Sequence, residues 1–146
     1  MELKTYVHRA QYYETDQMGC VHHSNYIRWF EESRIDLLNQ IGCGYAVMEQ
    51  EGIISPVLSV SCEYKSMTHF DEEVYIKPIM ESYNGFRFSI RYEITDKKSG
   101  VVRVTGNSTH CFLDKNNRPL SLKRHKPHIH EILERVADNS EEIIWK

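Results

Sequence analysis

The chain has 146 residues, of which 27% are charged and 40% hydrophobic, and its formal net charge at pH 7 is -3. This length fits one folded domain, and the composition excludes both a disordered chain and a basic nucleic-acid-binding protein. No segment resembles a signal peptide or approaches the roughly 18 continuous apolar residues of a membrane span, so we expect a cytoplasmic protein without a nucleic-acid or membrane partner.

A strand and a long helix are the first predicted elements. The sequence LKTYVHRAQYY predicts a strand near the N-terminus. Apolar side chains then recur at spacings of four and seven between residues 25 and 41, which predicts an amphipathic helix. We expect Ser24 or Asn25 to cap its first amides, and Gly42 and Gly44 to supply a left-handed turn at its end.

Four strands are predicted next, because the hydrophobic period changes to two. PVLSVSCEYKS and FRFSIRYEI alternate strictly, and the apolar positions from Leu58 to Tyr64 are expected to face the core. Between them, EVYIKPIMESY predicts a strand that ends in an Asn84-Gly85 turn, and Pro78 should lie at an edge or a bulge. VVRVTGNSTHCFLD predicts the last strand, with Gly106 at a bulge.

A short helix and a polar tail complete the predicted order β-α-β-β-β-β-α. The helix is expected to begin near Pro127, and residues 138–146 are expected to form a weakly ordered polar tail after a single domain of residues 1–137. One long helix on one face of an antiparallel sheet is a two-layer α+β fold. Because such a sheet has free edges, we expect dimerisation.

The spacing of cysteine and histidine indicates no metal site and no disulfide framework. No two of the four cysteines form a CxxC pair, and free thiols are expected. His125, His128 and His130 lie on both sides of Pro127 and do not share one helical face, so a solvated basic segment is predicted there instead of metal ligands.

An acid and a glycine lie immediately ahead of the long helix, in the sequence YYETDQMGCVHHSNY. Amides at a helix N-terminus are unpaired and attract negative charge. Gly19 permits a tight turn, so the segment from Asp16 to Ser24 can place backbone N–H groups beside a carboxylate. This arrangement suits acyl transfer, but an acid that only caps the helix gives the same pattern, and the residues alone leave both interpretations open.

The same segment resembles the signature of a known enzyme family. The matching residues are Tyr12, Thr15-Asp16, Gly19, Val21, His23 and Asn25-Tyr26. Followed by an aromatic, acid-rich helix, they resemble the hot-dog-fold acyl-CoA thioesterases of the 4-hydroxybenzoyl-CoA thioesterase type. The resemblance implies a curved antiparallel sheet wrapped around one long central helix. It also implies a homodimer or homotetramer with sheets joined edge to edge and sites between subunits.

The resemblance assigns roles to individual residues. Asp16 would be the catalytic carboxylate, as nucleophile or general base, with His23 and Tyr12 as orienting groups. The amides that would bind the thioester oxygen are those of Val21, His22, His23 and Ser24. Met18 and Cys20 differ from the smaller residues often found there, which leaves the size of the acyl pocket open.

Four basic side chains on the predicted strands, at Lys65, Arg87, Arg91 and Arg103, are most simply solvent-facing. Lys65 and Arg87 are the candidates for contacting the phosphates of coenzyme A, since Lys and Arg bind phosphate well.

The predicted function is hydrolysis of an acyl-CoA thioester to a carboxylic acid and coenzyme A, without a metal or another cofactor. A thioesterase acting on an acyl-carrier protein is the nearest alternative, and a basic patch beside the pocket would favour it. A non-enzymatic acyl-CoA-binding module is an alternative of a different class, and a hot-dog dehydratase fits the motif less well. The acyl length and the choice between aromatic and aliphatic groups are not predicted.

Overall fold

A computed structural model describes all residues from 1 to 146 and shows a five-stranded antiparallel sheet packed against a long helix. The strands are β1 (Glu2–Leu3), β2 (Tyr6–Arg9), β3 (Val57–Tyr64), β4 (Glu73–Tyr83), β5 (Arg87–Asp96), β6 (Val102–Cys111) and β7 (Ile144–Trp145). The helices are α1 (Ser24–Gln40), α2 (Tyr45–Gln50), α3 (Leu122–His125) and α4 (Pro127–Asp138).

The main sheet has the strand order β2-β4-β5-β6-β3, and α1 packs on its inner face. Alternate residues of β4, β5 and β6 are buried beneath the helix, as the period of two predicted. The largest of these side chains are Ile76, Met80, Phe88, Ile90, Tyr92 and Ile94. The predicted α+β hot-dog fold is therefore confirmed. None of the helices has the length and apolar character needed to cross a bilayer.

Helix α1 lies where the periodicity predicted it, within one residue at each end. Gly42 follows it with φ +89°, the predicted left-handed turn, whereas Gly44 has φ -63° and precedes α2. The predicted side-chain caps are wrong. The cap position is His23 without a side-chain bond, and the Asn25 side chain instead donates to the Glu14 carbonyl at 2.8 Å.

Strand β3 is exposed, contrary to the expectation that its apolar positions face the core. It lies at the sheet edge and pairs only with β6, so one side of its backbone is free. Leu58, Val60 and Tyr64 are all exposed, and Cys62 alone is partly buried. Alternation predicted the strand but not the burial of its side chains, because burial depends on what packs on the face of the sheet, and α1 packs mainly on β4.

Gly106 is required by close packing and not by a bulge, which corrects the sequence prediction. It stays in register between Tyr92 on β5 and Cys62 on β3. A Cβ atom at this position would lie 2.5 Å from the Ser61 carbonyl oxygen and 2.6 Å from the Phe30 ring of α1. The glycine therefore lets the helix approach the sheet.

The β4–β5 turn uses its two predicted residues differently. Only Gly85 has a positive φ, +88°, while the Asn84 side chain accepts the amide hydrogens of Phe86 and Arg87. Strand β4 lies inside the sheet, but β2 is short and pairs with β4 only as far as Ile76. At Pro78 one side of β4 is therefore a local edge. The prediction of an edge position for this proline is confirmed.

A chain of buried polar groups crosses the core beneath α1. Arg34 donates to the hydroxyl groups of Tyr45 and Tyr92, each at 3.0 Å. The Tyr92 hydroxyl lies 2.6 Å from Ser108 Oγ, which lies 2.7 Å from His110 Nε2. Burial and the nearby Arg34 charge lower the pKa of His110 to about 4, so this histidine is neutral at pH 7.

The C-terminal residues are ordered, and the expectation of a weakly ordered tail is wrong. Helix α4 begins at Pro127 as predicted, and the chain then returns to the N-terminus. Strand β7 pairs in parallel with β1, and the Lys146 amide donates to the Leu3 carbonyl at 2.8 Å. The polar composition did not show this pairing, since it depends on backbone groups from the other end of the chain. The domain boundary at residue 137 stays a prediction.

Candidate active site

The segment ahead of α1 folds into a tight turn that begins at Asp16. The Asp16 amide donates to the Cys20 carbonyl at 2.9 Å, and the Gly19 amide donates back to the Asp16 carbonyl at 3.0 Å. Gly19 has φ +80°, a conformation that favours glycine. Thr15 and Val21 pair across the turn, which joins it to the start of α1.

The Asp16 carboxylate is held by the turn itself. Its Oδ1 atom accepts the Met18 amide hydrogen at 2.8 Å, and the Cys20 sulfur lies 3.7 Å from Oδ1 and 3.9 Å from Oδ2. Burial and the Asp16 charge raise the pKa of the Cys20 thiol, which keeps it protonated as a weak donor. The Oδ2 atom has no other partner within the protein.

A groove of about 290 Å³ opens beside this carboxylate. Asp16, His23 and Lys65 all line it, so the structure brings these three predicted site residues together. Aromatic and sulfur-containing side chains supply most of the remaining wall, namely Tyr26, Tyr64, Met18, Cys20 and Met67. The arrangement is a mainly apolar groove with one carboxylate, as expected for a site that binds an organic acyl group.

The four predicted oxyanion amides are not equally available. The Val21 amide donates to the Thr68 carbonyl and the His22 amide to the Glu14 carbonyl, both at 2.8 Å. The Ser24 amide lies 3.2 Å from His22 Nδ1. Only the His23 amide has no acceptor within the protein, which makes it the one donor of the four that a ligand can use without competition.

His23 is exposed and its ring lies 4.2 Å from that of His22. Tyr64 packs edge-on against His23 at 6.1 Å and donates its hydroxyl to the His23 carbonyl at 3.3 Å. Burial raises the pKa of Tyr64 to about 12, so the hydroxyl keeps its proton at neutral pH. Tyr64 therefore fixes the backbone that presents the free amide.

Two other predicted site residues lie outside the groove. Tyr12 is in a 3-10 turn, and its exposed ring packs edge-on against Phe70 at 5.5 Å. Arg87 begins β5 and lines a different groove, together with Leu58 and Thr109. Sequence position did not reveal these placements, because both depend on which strands and turns become neighbours.

Glu14 is a buried anchor that the sequence analysis missed. Its carboxylate accepts hydrogen bonds from the Gln11 amide and His8 at 2.8 Å and from Trp29 Nε1 at 2.7 Å. Its carbonyl also accepts the His22 amide hydrogen at 2.8 Å. Glu14 therefore joins β2, α1 and the Asp16 turn. Nothing in the sequence next to Glu14 indicated that this acid would be buried.

The contact between Glu14 and His8 favours the charged form of both side chains. Burial alone would raise the pKa of Glu14, but hydrogen bonds from Gln11, His8 and Trp29 lower it below the ordinary 4.5. Burial would likewise lower the pKa of His8, but contacts with Glu32 at 3.0 Å and Glu14 at 2.8 Å raise it above 6.5. Protonated His8 and ionised Glu14 thus stabilise the folded state together.

A His8→Gln variant should therefore lose stability in a pH-dependent way. The raised pKa of His8 gives stability that is lost as pH rises through that pKa, and the lowered pKa of Glu14 gives stability that is lost as pH falls through it. The pair contributes most between the ordinary values, 4.5 and 6.5. We expect the variant to lower Tm more at pH 5.5 than at pH 9, with exposed His125→Gln as the control. An equal loss at both pH values would contradict this assignment.

No group of three or more His, Cys, Asp or Glu side chains is arranged to hold a metal ion. The three C-terminal histidines are separated by their contacts. His130 is buried, and its Nδ1 lies 2.8 Å from the Tyr83 hydroxyl. His128 is exposed, with Nε2 3.4 Å from Glu51. All four cysteines are free thiols, as predicted.

Comparisons with known proteins agree with this fold. The thioesterase-like superfamily matches residues 11–143. The protein named "Putative acyl-CoA thioesterase YneP" from Bacillus subtilis (strain 168) is 34% identical over 128 residues, which cover 87% of this chain and 92% of that protein. The structure described as a DHNA-CoA thioesterase from Staphylococcus aureus is 34% identical, has a TM-score of 0.89 and matches 99% of each chain.

A more distant structure shows how far the architecture extends. Slr0204 of Synechocystis, described as a 1,4-dihydroxy-2-naphthoyl-CoA thioesterase, is 16% identical with a TM-score of 0.81, over 92% of this chain and 97% of that one. At that identity the likeness concerns the fold alone. From the match over residues 11–143 and from relatives above 30% identity, it follows that the chain belongs to the thioesterase-like superfamily.

Proposed function

We propose that the protein is an acyl-CoA thioesterase of the 4-hydroxybenzoyl-CoA thioesterase type, acting through Asp16. Membership of the superfamily confirms the coarser prediction of a thioester hydrolase. The observation that carries the finer proposal is that the Asp16 carboxylate and the unpaired His23 amide belong to one groove. A carboxylate and an amide donor are the two groups that acyl transfer requires.

The reaction follows from these two groups. The thioester oxygen accepts the His23 amide hydrogen, which polarises the carbonyl. Asp16 as general base takes a proton from water while the water oxygen adds to the carbonyl carbon. Collapse of the tetrahedral intermediate breaks the carbon–sulfur bond, and the departing thiolate takes up a proton. No metal or other cofactor enters this scheme. Tyr12 has no role in it, because its ring lies on Phe70 outside the groove.

The alternative role of Asp16 is direct attack, which forms an anhydride that water then opens. Both roles need an accessible oxygen, and Oδ2 is the one without a backbone donor. Single-turnover hydrolysis in heavy-oxygen water separates them. Label in the Asp16 side chain supports attack by the carboxylate, whereas label confined to the product acid, together with no anhydride trapped by added hydroxylamine, supports a general base.

We propose that the acyl group is aromatic. Tyr26 and Tyr64 stand in the groove wall with ring centroids 5.8 Å apart, and Met18 and Met67 add sulfur contacts to it. The similar Staphylococcus aureus protein is described as a DHNA-CoA thioesterase. Thiol release from aromatic, short-chain and long-chain acyl-CoAs tests this. The proposal predicts the highest kcat/KM for an aromatic acyl group, and a clear preference for long aliphatic chains would contradict it.

Coenzyme A is the carrier that the groove favours over an acyl-carrier protein. Docking a folded acidic carrier requires several cations beside the site. Lys65 is the single basic residue apart from His23 that lines the groove, and its Nζ lies 2.9 Å from Glu63. A higher kcat/KM with the acyl-carrier protein than with the same acyl-CoA would reverse this choice. The cytoplasmic location stays a prediction.

We propose a homodimer formed through β3 as the assembled unit, with any homotetramer built from two such dimers. One backbone edge of β3 is unpaired, and Leu58, Val60 and Tyr64 are exposed along it. A second copy related by a two-fold axis pairs this strand antiparallel to itself and covers the apolar side chains. Tyr64 also lines the Asp16 groove, so pairing brings the second subunit beside the site.

Val60→Lys should disrupt this dimer. Val60 is exposed in the single chain, so a lysine there is tolerated by the folded subunit but places two positive charges near each other across the proposed axis. We expect light scattering to report a monomer for Val60→Lys and a dimer for both the wild type and Val101→Lys, a control on the exposed β5–β6 turn. A dimeric Val60→Lys protein would rule out pairing through β3.

A further inference from the structure

Positive charge is concentrated in one segment of this acidic chain. The chain has 21 Asp or Glu and 18 Lys or Arg, but residues 113–128 contain five Lys or Arg and one acid, Asp114. This segment follows β6 and includes all of α3. The Asp16 reaction uses none of its side chains. A local excess of one charge attracts a partner of the opposite sign, so the segment is a candidate interaction surface.

The segment packs against the turn between β4 and β5. The Leu122 amide donates to the Gly85 carbonyl at 3.0 Å. The amide of Phe112, which precedes the segment, donates to the Phe86 carbonyl at the same distance. Arg87 begins β5 directly after the turn. Five exposed side chains therefore lie at this end of the sheet, and we call them the basic surface: Phe86, Arg87, Arg118, Lys123 and Arg124.

The cations of the basic surface are not neutralised by the folded chain. None of the four lies within 4.0 Å of a carboxylate oxygen. Two neighbouring acids are bonded to other groups. Asp114 Oδ1 accepts the backbone amide hydrogens of Asn116 at 2.8 Å and Arg118 at 3.1 Å, and Glu51 lies 3.1 Å from Lys126. The charge of this surface is therefore available to a partner.

A groove of about 320 Å³ opens beside Arg87. No acidic residue lines it, and its polar side chains other than Arg87 are three hydroxyls and an amide, those of Ser82, Ser89, Thr109 and Asn84. Hydroxyl, amide and guanidinium groups all donate hydrogen bonds to phosphate oxygens. The groove can therefore hold one phosphate at the border of the basic surface.

Phe86 indicates what kind of acidic partner fits the basic surface. Its ring is 47% exposed, and no large apolar side chain between residues 112 and 128 is exposed. A folded acidic protein is expected to bury several apolar and aromatic side chains at the centre of its interface. Several cations around one exposed ring instead match a lipid surface, where charge attracts anionic headgroups and the ring enters the headgroup layer.

We propose that the basic surface docks the protein onto a membrane that contains anionic phospholipids. Phe86 enters the headgroup layer, and the cations contact headgroup phosphates, one of which lies in the groove beside Arg87. The sequence-based expectation of no membrane partner followed from the absence of a spanning segment, and a surface contact needs none. Pairing of two copies through β3 leaves the basic surface open, because β6 lies between β5 and β3 in the sheet.

Within one subunit, the basic surface and the Asp16 groove lie at opposite ends of β5. Arg87 begins this strand of 10 residues and Asp96 ends it, which corresponds to a length of about 30 Å. Arg103 lies 3.5 Å from Asp96, and its carbonyl accepts the amide hydrogen of Lys65, which lines the Asp16 groove. Docking through the basic surface therefore leaves the thioester site of that subunit uncovered.

Sedimentation with lipid vesicles tests the proposal. The wild type should bind vesicles of phosphatidylcholine mixed with phosphatidylglycerol but not vesicles of phosphatidylcholine alone, and added salt should weaken the binding. The double variant Lys123→Ala/Arg124→Ala should weaken it about 25-fold, because each cation near an anionic surface contributes about fivefold. Phe86→Ala should also weaken it, and this loss should persist at high salt, since the ring carries no charge.

The matched control is Lys97→Ala/Lys98→Ala, which removes two exposed cations from the β5–β6 turn at the other end of the sheet. It changes the net charge by the same amount and should bind the vesicles as the wild type does. Equal weakening by the two double variants would overturn the proposal, because net charge and not the basic surface would then determine binding. A wild type that does not bind the anionic vesicles would overturn it directly.

Two further measurements exclude other occupants of the basic surface. Lys123→Ala/Arg124→Ala should keep the wild-type kcat and KM for a soluble acyl-CoA, and a raised KM would overturn the proposal by assigning these cations to the substrate. Acyl-carrier protein should not displace the wild type from the vesicles, and displacement would assign the surface to a folded acidic protein. The vesicle assay requires no turnover, so its result is independent of the proposed thioesterase function.

Discussion

Asp16→Asn is expected to reduce kcat for acyl-CoA hydrolysis by about 10²-fold or more, the scale of a positioned acid or base. The asparagine Oδ1 atom can still accept the Met18 amide hydrogen that now bonds to the carboxylate at 2.8 Å, so the turn should keep its shape. What is lost is the negative charge that activates water or attacks the carbonyl. KM should change little, because the groove wall is intact.

The matched control is Asp138→Asn, at the exposed end of α4 and away from the Asp16 groove. It removes one carboxylate from the protein and should leave kcat unchanged. Equal Tm values for the two variants would show that the loss at Asp16 is chemical. An Asp16→Asn protein that retains wild-type kcat would place the chemistry on another residue.

Trp29→Ala is expected to lower the free energy of unfolding by about 3–5 kcal/mol, the usual cost of truncating a large buried aromatic residue. Trp29 is fully buried in α1, with its ring 4.3 Å from His8 and 5.0 Å from Tyr26. The substitution also removes the indole N–H that donates to Glu14 at 2.7 Å, which leaves a buried carboxylate with one donor fewer.

Denaturant unfolding at one fixed protein concentration measures this change, because dimerisation would make stability depend on concentration. Trp29→Phe separates the two causes, since it keeps most of the ring but not the donor, and an intermediate loss is expected. Trp145→Ala, in the short pairing of the chain ends, should cost less because that side chain is only partly buried. A Trp29→Ala protein within 1 kcal/mol of wild type, a threshold set by typical mutational effects, would contradict the account of the core.

Local sequence patterns were sufficient for the elements that face one core. The period of α1 and the alternation in β4 and β5 follow directly from burial on one side, and the structure confirms both. The left-handed residue after α1 was predictable because Gly42 supplies it at no steric cost. These features depend on a residue and its near neighbours in the chain.

Features that depend on distant neighbours were not predictable. Gly106 has the sequence appearance of a bulge, but its actual constraint is the Phe30 ring, 76 positions earlier in the chain. The exposure of β3 follows from its distance in the sheet from β4, the strand on which α1 mainly packs. The buried carboxylate of Glu14 is explained by donors from β2 and α1, which no single stretch of sequence contains.

In the proposed site, too, features set by near neighbours in the chain were predictable and features set by distant residues were not. The turn around Gly19 and the placement of Asp16 and His23 in one groove follow the motif, whereas Lys65 joins them from beyond the end of β3, outside the motif. The motif did not predict which amide remains free. The neighbouring amides of Val21 and His22 donate to the carbonyls of Thr68 and Glu14, and these acceptors lie outside the segment from Asp16 to Ser24. Tyr12 lies apart for a similar reason, since Phe70 from a distant loop holds its ring.

The most direct test is to incubate the purified wild-type protein with excess aromatic acyl-CoA and to quantify free thiol and free acid together. The account predicts many equivalents of both products per protein chain, formed in equal amounts. Acyl-CoA that stays bound but intact, with no thiol released, would contradict it and identify a binding module in place of an enzyme.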